Sequence, residues 1–568
     1  MNKGLLAADY IVFIIYIIGI AAYGYWIYRR KKNKETSATD FFLAEGQLTW
    51  WAIGASLIAS NISAEQFIGM SGNGFRLGLA IASYEWLAAV SLIIVAVFFM
   101  PIYLKNRIYT MPQFLKTRYN ETVALIMAVF WLFLYIIVNL TSILYLGTIA
   151  INNLTGGNYF YAIMIGLALF ALLITLGGMK VIGFTDVIQV LVLIAGGLIT
   201  TYIALTMVSE KFGLGKDALS GFNQLLQRAP DHFDMIFNKP AAGAPQNQVD
   251  NYISLPGIAM LMAGQWIANL NYWGCNQYIT QRALGADLPT ARTGILFAAF
   301  LKLMMPLIVV LPGIAAFVLH QQGELQQQML TNGELREDNA YAAVLGFLPH
   351  GLKGLSMAAL TAAIVASLAG KANSISTIFT LDIYKKYFNK NAEEAKMVWI
   401  GRLAIIGALI FAIAINWKDA LGIGSKGGFE FIQKYTGYVS PVIFAVFLLG
   451  FFWKRTTSTA AIIGIITGTV LAIVFDKVLP LNGQYETILY TAFADKDGHY
   501  TIPFLVQMGW VFFFTCIIMI VVSLLDKNVV SRSHTMEVDP SMFKVQPRIL
   551  VFILILLALI LSLYIRFW

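Results

Sequence analysis

Ser60-Asn61-Ile62-Ser63, followed by Glu65 and Gln66, interrupts an apolar run from Trp50 to Gly72 with hydrogen-bonding side chains. Inside a helix, Ser and Asn compete with the backbone for its own hydrogen bonds. In hydrocarbon, each carbonyl freed in this way needs another partner. The pattern has two readings. One is a broken membrane helix whose backbone lines a polar cavity or holds an ion. The other is an intact span with Ser and Asn bridging neighbouring helices. Four charges also fall within apolar segments: Glu85, Asp186, Lys302 and Lys371. Each costs about 2.5–3.5 kcal/mol at a helix centre, so such residues tend to be functional. Glu85 could instead be an interfacial acid. Asp186, in Phe184-Thr185-Asp186, could be a helix-start acid facing the positive end of the dipole. Lys302, nine residues into its span, and Lys371, deeper from either end, could be snorkelling lysines, but that depth favours a functional role. Amides, an acid and amines suit reversible hydrogen bonding of a polar solute and the holding of a cation. Bond-making chemistry is not indicated, since no triad, paired catalytic carboxylates or metal cluster is evident. His232, His320, His350, His499 and His534 fall in connecting segments or helix ends, which argues against an intramembrane haem or metal enzyme.

The elements that must position these residues are membrane helices. The 568 residues are 58% apolar, and mean hydropathy is +0.72. That balance excludes a soluble protein and requires a lipid bilayer as partner. The net charge of +9 comes from Lys and Arg in short loops, so it sets topology rather than nucleic-acid binding. Cys275 and Cys516 lie in apolar surroundings and give no disulfide framework. Apolar length predicts about fourteen spans, near 8–28, 50–71, 79–104, 122–150, 159–178, 181–207, 254–275, 293–320, 354–382, 397–416, 428–452, 458–477, 503–525 and 548–567. The first is followed by Arg29-Arg30-Lys31-Lys32, as in a retained anchor rather than a cleaved signal. With fourteen spans, that basic cluster shares a side with Lys105, Arg107, Lys116, Arg118, Arg282, Arg292, Lys385, Lys386, Lys390, Lys454, Arg455, Lys527 and Arg532. This side is expected to be the cytoplasm, with both termini outside a plasma (inner) membrane. Long polar loops near 209–253, 321–353 and 478–502 then fall outside, and 526–547 is a cytoplasmic linker. The segment 254–275 carries Gln265, Trp266, Asn269, Asn271 and Tyr272 mid-span. It is expected to be a second interrupted helix in an inverted correspondence with 50–71.

Several stretches resemble the sodium/solute symporter family, and within it the bacterial sodium/galactose branch. They are ASNISAEQFIGMSGNG (59–74), GLAIASYEW (78–86), FTDVIQV (184–190), WIANLNYWGCNQYITQR (266–282), FAAFLKL (297–303) and YTGYVSPVIFAVFLLGFFWKRTTS (435–458). The last departs from the family pattern at Ala460, where Gly is usual. The resemblance spans nearly the whole chain. It implies an all-α membrane protein with a five-plus-five inverted-repeat core and a broken first helix in each repeat. The segments would be an extra helix and loop at 1–49, repeats at 50–207 and 254–452, an outer loop at 208–253 and three extra helices at 453–568. It implies sugar binding by Asn61, Gln66, Glu85, Asn269, Lys302 and Gln433. Their amides can both donate to and accept from hydroxyls. Met70, Tyr84, Tyr272 and Phe429 would wall and gate the pocket, with Tyr272 stacking on the sugar ring. One sugar-contacting Ser of the family falls at Ala88.

The resemblance also implies a sodium site from the carbonyls of Ala59, Ile62 and Ala363 and the Ser367 hydroxyl. A second family hydroxyl is replaced by Ala366, and a hard cation that loses an oxygen binds more weakly. Lys371 stands one turn beyond Ser367 where relatives are apolar, within reach of the sodium position or of Asp186. The leading expectation is hexose uptake by sodium symport with alternating access. A second is a sodium-independent or proton-coupled sugar or polyol transporter in which Lys371 replaces the ion and Lys371 or Asp186 titrates. A sugar sensor without transport is a third; the chain ends at Trp568 with no soluble signalling domain attached, which argues against it. The oligomeric state is not indicated.

Overall fold

A computed structural model describes residues 5–31, 48–156, 159–241, 243–331, 333–421, 428–482, 485–495, 498–526 and 536–568. The expected loop between Lys31 and Leu48 and the linker residues 527–535 lie outside the described residues. Eleven described helices are long and apolar enough to cross a membrane, and Phe160–Thr175 and Ser440–Phe452 are shorter apolar helices. The long polar loops near 321–353 and 478–502 are not purely helical. They hold a two-stranded ladder, Leu330–Thr331 with Glu334–Leu335, and a three-stranded one, Tyr485–Glu486, Thr491–Ala494 and Tyr500–Thr501.

The chain forms two compact units that interleave along the sequence. The first comprises Met1–Glu85, Leu132–Asp234 and Thr293–Ile432; the second comprises Trp86–Trp131, Met235–Arg292 and Gln433–Trp568.

In the first unit, Leu352–Thr377 is the central helix, with every residue from Ser356 to Thr377 buried. It is apolar or small all round, as a helix enclosed by other helices must be. Gly178–Lys211 packs along it, and a Cβ at Gly196 would stand 2.7 Å from the Ala359 Cβ. Small residues of this kind let backbones approach closely where no water drives association. Trp50–Asn61 packs against both helices and ends at Ile62, whose φ of −78° and ψ of 109° are extended. The chain then restarts as a π-type turn, Glu65–Met70, and continues as Ser71–Leu77. Gly78, at φ +67°, lets it turn toward Ser83–Ile94. The predicted break in 50–71 is therefore present.

In the second unit, the polar residues at 265–272 do not mark the interruption, contrary to the sequence expectation. Gln265–Gly274 is continuous helix, and the break falls at Cys275 and Asn276 before Gln277–Leu284. Asn269 Nδ2 donates back to the Gln265 carbonyl at 3.0 Å, and Asn271 Nδ2 donates to Ser440 Oγ at 3.1 Å. The amide N–H groups of both residues find acceptors without opening the helix. A further interruption, at Tyr438 and Val439, divides the expected span 428–452. Pro441 explains it: it lies at the start of Ser440–Phe452, where its missing N–H is harmless, and could not continue the preceding helix. Arg118 has a structural role besides its topological one. Its guanidinium donates to the carbonyls of Gly450 (2.8 Å), Trp453 (3.0 Å) and Thr456 (3.1 Å), which occupies the negative end of that helix.

Candidate functional site: the helix break and the buried charges of the first unit

The break is organised by a reciprocal cap. The Ser63 N–H donates to Gln66 Oε1 at 2.9 Å, and the Glu65 N–H donates to Ser63 Oγ at 3.2 Å. This is a variant of the Ser-x-x-Gln capping box in which the Ser hydroxyl takes the N–H two residues on, and it satisfies donors left bare at a helix start. It is legible in the sequence as S-A-E-Q. Gln66, expected as a sugar ligand, thus commits its carbonyl oxygen to the restart of the helix. On the other side of the break, the Ser60 carbonyl accepts from Ser367 Oγ at 2.9 Å. That bond ties the broken helix to Leu352–Thr377. Ala59, Ile62, Ala363, Ala366 and Ser367 are all buried there, and Asn61 is 7% exposed.

Asp186 lies nine residues into Gly178–Lys211 and is fully buried, accepting from Ser56 Oγ at 2.5 Å. More than two turns from the helix start, it is not a dipole-capping acid. Lys371 is 2% exposed, and its Nζ donates to Ser367 Oγ at 3.2 Å. Lys371 thus engages Ser367, one of the groups within its reach.

Glu85 and Lys302 form an ion pair. Their Oε2 and Nζ atoms are 2.5 Å apart, with side chains 4% and 1% exposed. Glu85 is therefore a buried acid rather than an interfacial one. Two ions at this depth are tolerable because each neutralises the other and is hydrogen-bonded. Close by in sequence, the Tyr84 ring meets Phe429 edge to face, with centroids 5.3 Å apart. Phe429 also lies over Gly69, where a Cβ would come within 2.6 Å of the Phe429 Cβ. Met70 is fully buried. Three of the four wall residues, Met70, Tyr84 and Phe429, thus belong to the first unit.

Asn269, Tyr272 and Gln433 belong to the second unit. There the Tyr272 ring packs edge to face on Tyr278, with centroids 5.6 Å apart.

Two clusters escaped the sequence reading. Arg76 Nε is 3.1 Å from Glu337 Oε2, and the same guanidinium pairs with Glu430. It ties together the end of Ser71–Leu77, the 321–353 loop and Gly428–Gly437. Asp9, buried in the first helix, accepts from the N–H groups of Gly351 (2.7 Å) and Gly354 (3.2 Å), and pairs with His350 Nδ1 (3.0 Å). A carboxylate belongs at this helix start, where bare N–H groups and the dipole both favour negative charge. Asp9 thereby pins the first helix to the N-terminus of Leu352–Thr377, the helix carrying Ser367 and Lys371.

Interrupted helices, a capped break and ion pairs held inside a polytopic bundle define a membrane carrier. Comparison with known proteins makes the class specific. A family model described as "Sodium:solute symporter family" matches residues 41–468. The chain is 48% identical over 500 residues to a sodium/glucose cotransporter of Vibrio parahaemolyticus, covering 86% of this chain and 89% of that one. It is 32% identical over 490 residues to the human sodium/myo-inositol cotransporter 2, covering 83% and 70%. Its fold matches a solved Na+-coupled sialic acid symporter, with a TM-score of 0.73 at 21% identity, over 91% of this chain and 98% of that one.

The chain belongs to the sodium:solute symporter family. It is a multi-pass membrane transporter, not an enzyme, and sodium is the ion it carries with its solute.

Proposed function

We propose that the protein moves a hexose of the galactose or glucose kind across the plasma membrane with sodium, by alternating access. The observation that carries this reading is the buried Glu85–Lys302 pair, held in the same unit as the capped break of Asn61 to Gln66. An acid that accepts and an amine that donates, together with amides, suit a ligand whose every hydroxyl does both. A site of this kind rejects analogues lacking a hydroxyl far better than an apolar pocket does. The 48% identity to a sodium/glucose cotransporter supports the same substrate class.

In this reading Asn61, Gln66, Glu85 and Lys302 bind the sugar and Met70, Tyr84 and Phe429 wall it. Asn269, Tyr272 and Gln433 join that list from the family resemblance alone. The carbonyls of Ala59, Ile62 and Ala363 and the Ser367 hydroxyl hold sodium, and Asp186 and Lys371 tune it. The proposed architecture is a core of two inverted repeats, 50–207 and 254–452, flanked by 1–49 and 453–568, with 208–253 as an outer loop. About fourteen spans place both termini outside.

Identity to sodium/myo-inositol cotransporters favours a second reading, uptake of a cyclic polyol. Both ligands present a ring of hydroxyls, so the site chemistry admits either. Uptake of radiolabelled galactose, glucose and myo-inositol into proteoliposomes, with an inward sodium gradient and with choline in its place, tests the proposal. Sodium-driven accumulation of a hexose, competed by other hexoses more strongly than by myo-inositol, is expected. Accumulation of none of the three would refute it.

A further inference from the structure

Lys371 is a buried ammonium placed where the broken helix exposes its carbonyl end. The last carbonyls of a helix lack intrahelical donors and carry about half a negative charge. Here the Ser60 carbonyl accepts from Ser367 Oγ, and the same hydroxyl accepts from Lys371 Nζ at 3.2 Å. Asp186 reinforces the negative field, docking on the broken helix through Ser56, and a second acid, Glu65, lies buried just past the break. This is a place that attracts a cation, and the chain supplies one on a four-carbon tether. The oxygen set for a free ion is correspondingly thin, because Ala366 brings no hydroxyl beside Ser367.

We propose that the Lys371 ammonium is a tethered competitor of the co-transported sodium ion. It holds Ser367 when the ion is absent, and sodium binding expels it toward the Glu65 carboxylate. The inference rests on the sodium-site assignment made above. A site occupied by its internal cation for 90–99% of the time shows an apparent sodium affinity lowered by about 10- to 100-fold. Lys371 thereby sets the sodium concentration at which the carrier begins to work.

The test uses the full-length protein and sodium alone, so it does not depend on which sugar is carried. The sodium concentration giving half of the maximal thermal stabilisation is measured against choline for the wild type, Lys371→Met, Lys371→Gln and Lys371→Arg. Met keeps the stem's length without the charge, and Gln removes the charge while keeping a hydrogen-bonding end on a shorter stem. Both should lower the half-saturating sodium concentration by at least about tenfold, while Arg should stay near the wild type. Unchanged or raised values in the Met and Gln variants overturn the proposal. Ser367→Ala separates the two layers of the argument. It should raise the half-saturating concentration in the Lys371→Met background. If it has no effect there, the sodium-site assignment itself fails, and the competitor with it.

Discussion

Removing one member of the Glu85–Lys302 pair should damage the protein far more than removing both. At 2.5 Å and an effective dielectric constant near 20, the pair attracts by about 7 kcal/mol. Desolvating the two ions costs several kcal/mol each, so the net contribution is small. Lys302→Met leaves Glu85 buried without its amine, and Glu85→Gln leaves Lys302 without its acid. Each should cost about 3–5 kcal/mol of stability, about two to nearly four orders of magnitude in the folding equilibrium. The double variant should recover most of this, costing only about 1 kcal/mol, so the coupling between the sites exceeds the cost of either single variant. Reversible unfolding of the full chain in mixed micelles measures the cycle. The double variant should fold yet bind sugar more weakly, because the ammonium donor is gone and the carboxylate is reduced to a neutral amide. Single variants within about 1 kcal/mol of the wild type, with an additive double, would refute the reasoning.

Other outcomes follow from neighbouring geometry. Gly69→Ala should cost about 1–3 kcal/mol and impair uptake, since the new methyl meets the Phe429 Cβ at 2.6 Å; unimpaired unfolding and transport would contradict that packing. Asp9→Ala should destabilise by about 2–4 kcal/mol, because it strips two N–H groups at the start of Leu352–Thr377 of their acceptor and His350 of its partner. Asp9→Asn should recover part of the loss. His232, in the turn Pro230–Phe233, stacks on Phe317 and its Nε2 bonds the Phe75 carbonyl at 3.0 Å. Burial holds its pKa below the ordinary 6.5, although the Phe75 carbonyl and Asp231 oppose the shift. The neutral ring is thus the folded form. Its contribution should be complete above pH about 6.5 and fade as the pH falls through that value. His232→Gln should flatten that part of the stability profile.

The sequence made some of this site legible and hid the rest for identifiable reasons. The break at Ser60 to Ser63 was readable because Ser and Asn are costly inside an apolar helix. The buried ions stood out against hydrocarbon for the same reason. The second unit misled, because Asn269 and Asn271 look like helix breakers but spend their amides on a carbonyl one turn back and on Ser440. The true interruption at Cys275 carries little local signal. Asp9 vanished into the apolar average of the first helix, although an acid in an apolar span already implies a buried partner. The Arg76 cluster could not be foreseen, because Glu430 is 354 residues away and only the fold brings it close.

Equilibrium binding of radiolabelled galactose to the purified full chain, in sodium and in choline, tests the central claim most directly. The account predicts that sodium tightens binding by about tenfold or more and that Ser367→Ala removes most of that gain. Sugar binding of equal strength in both salts would contradict it.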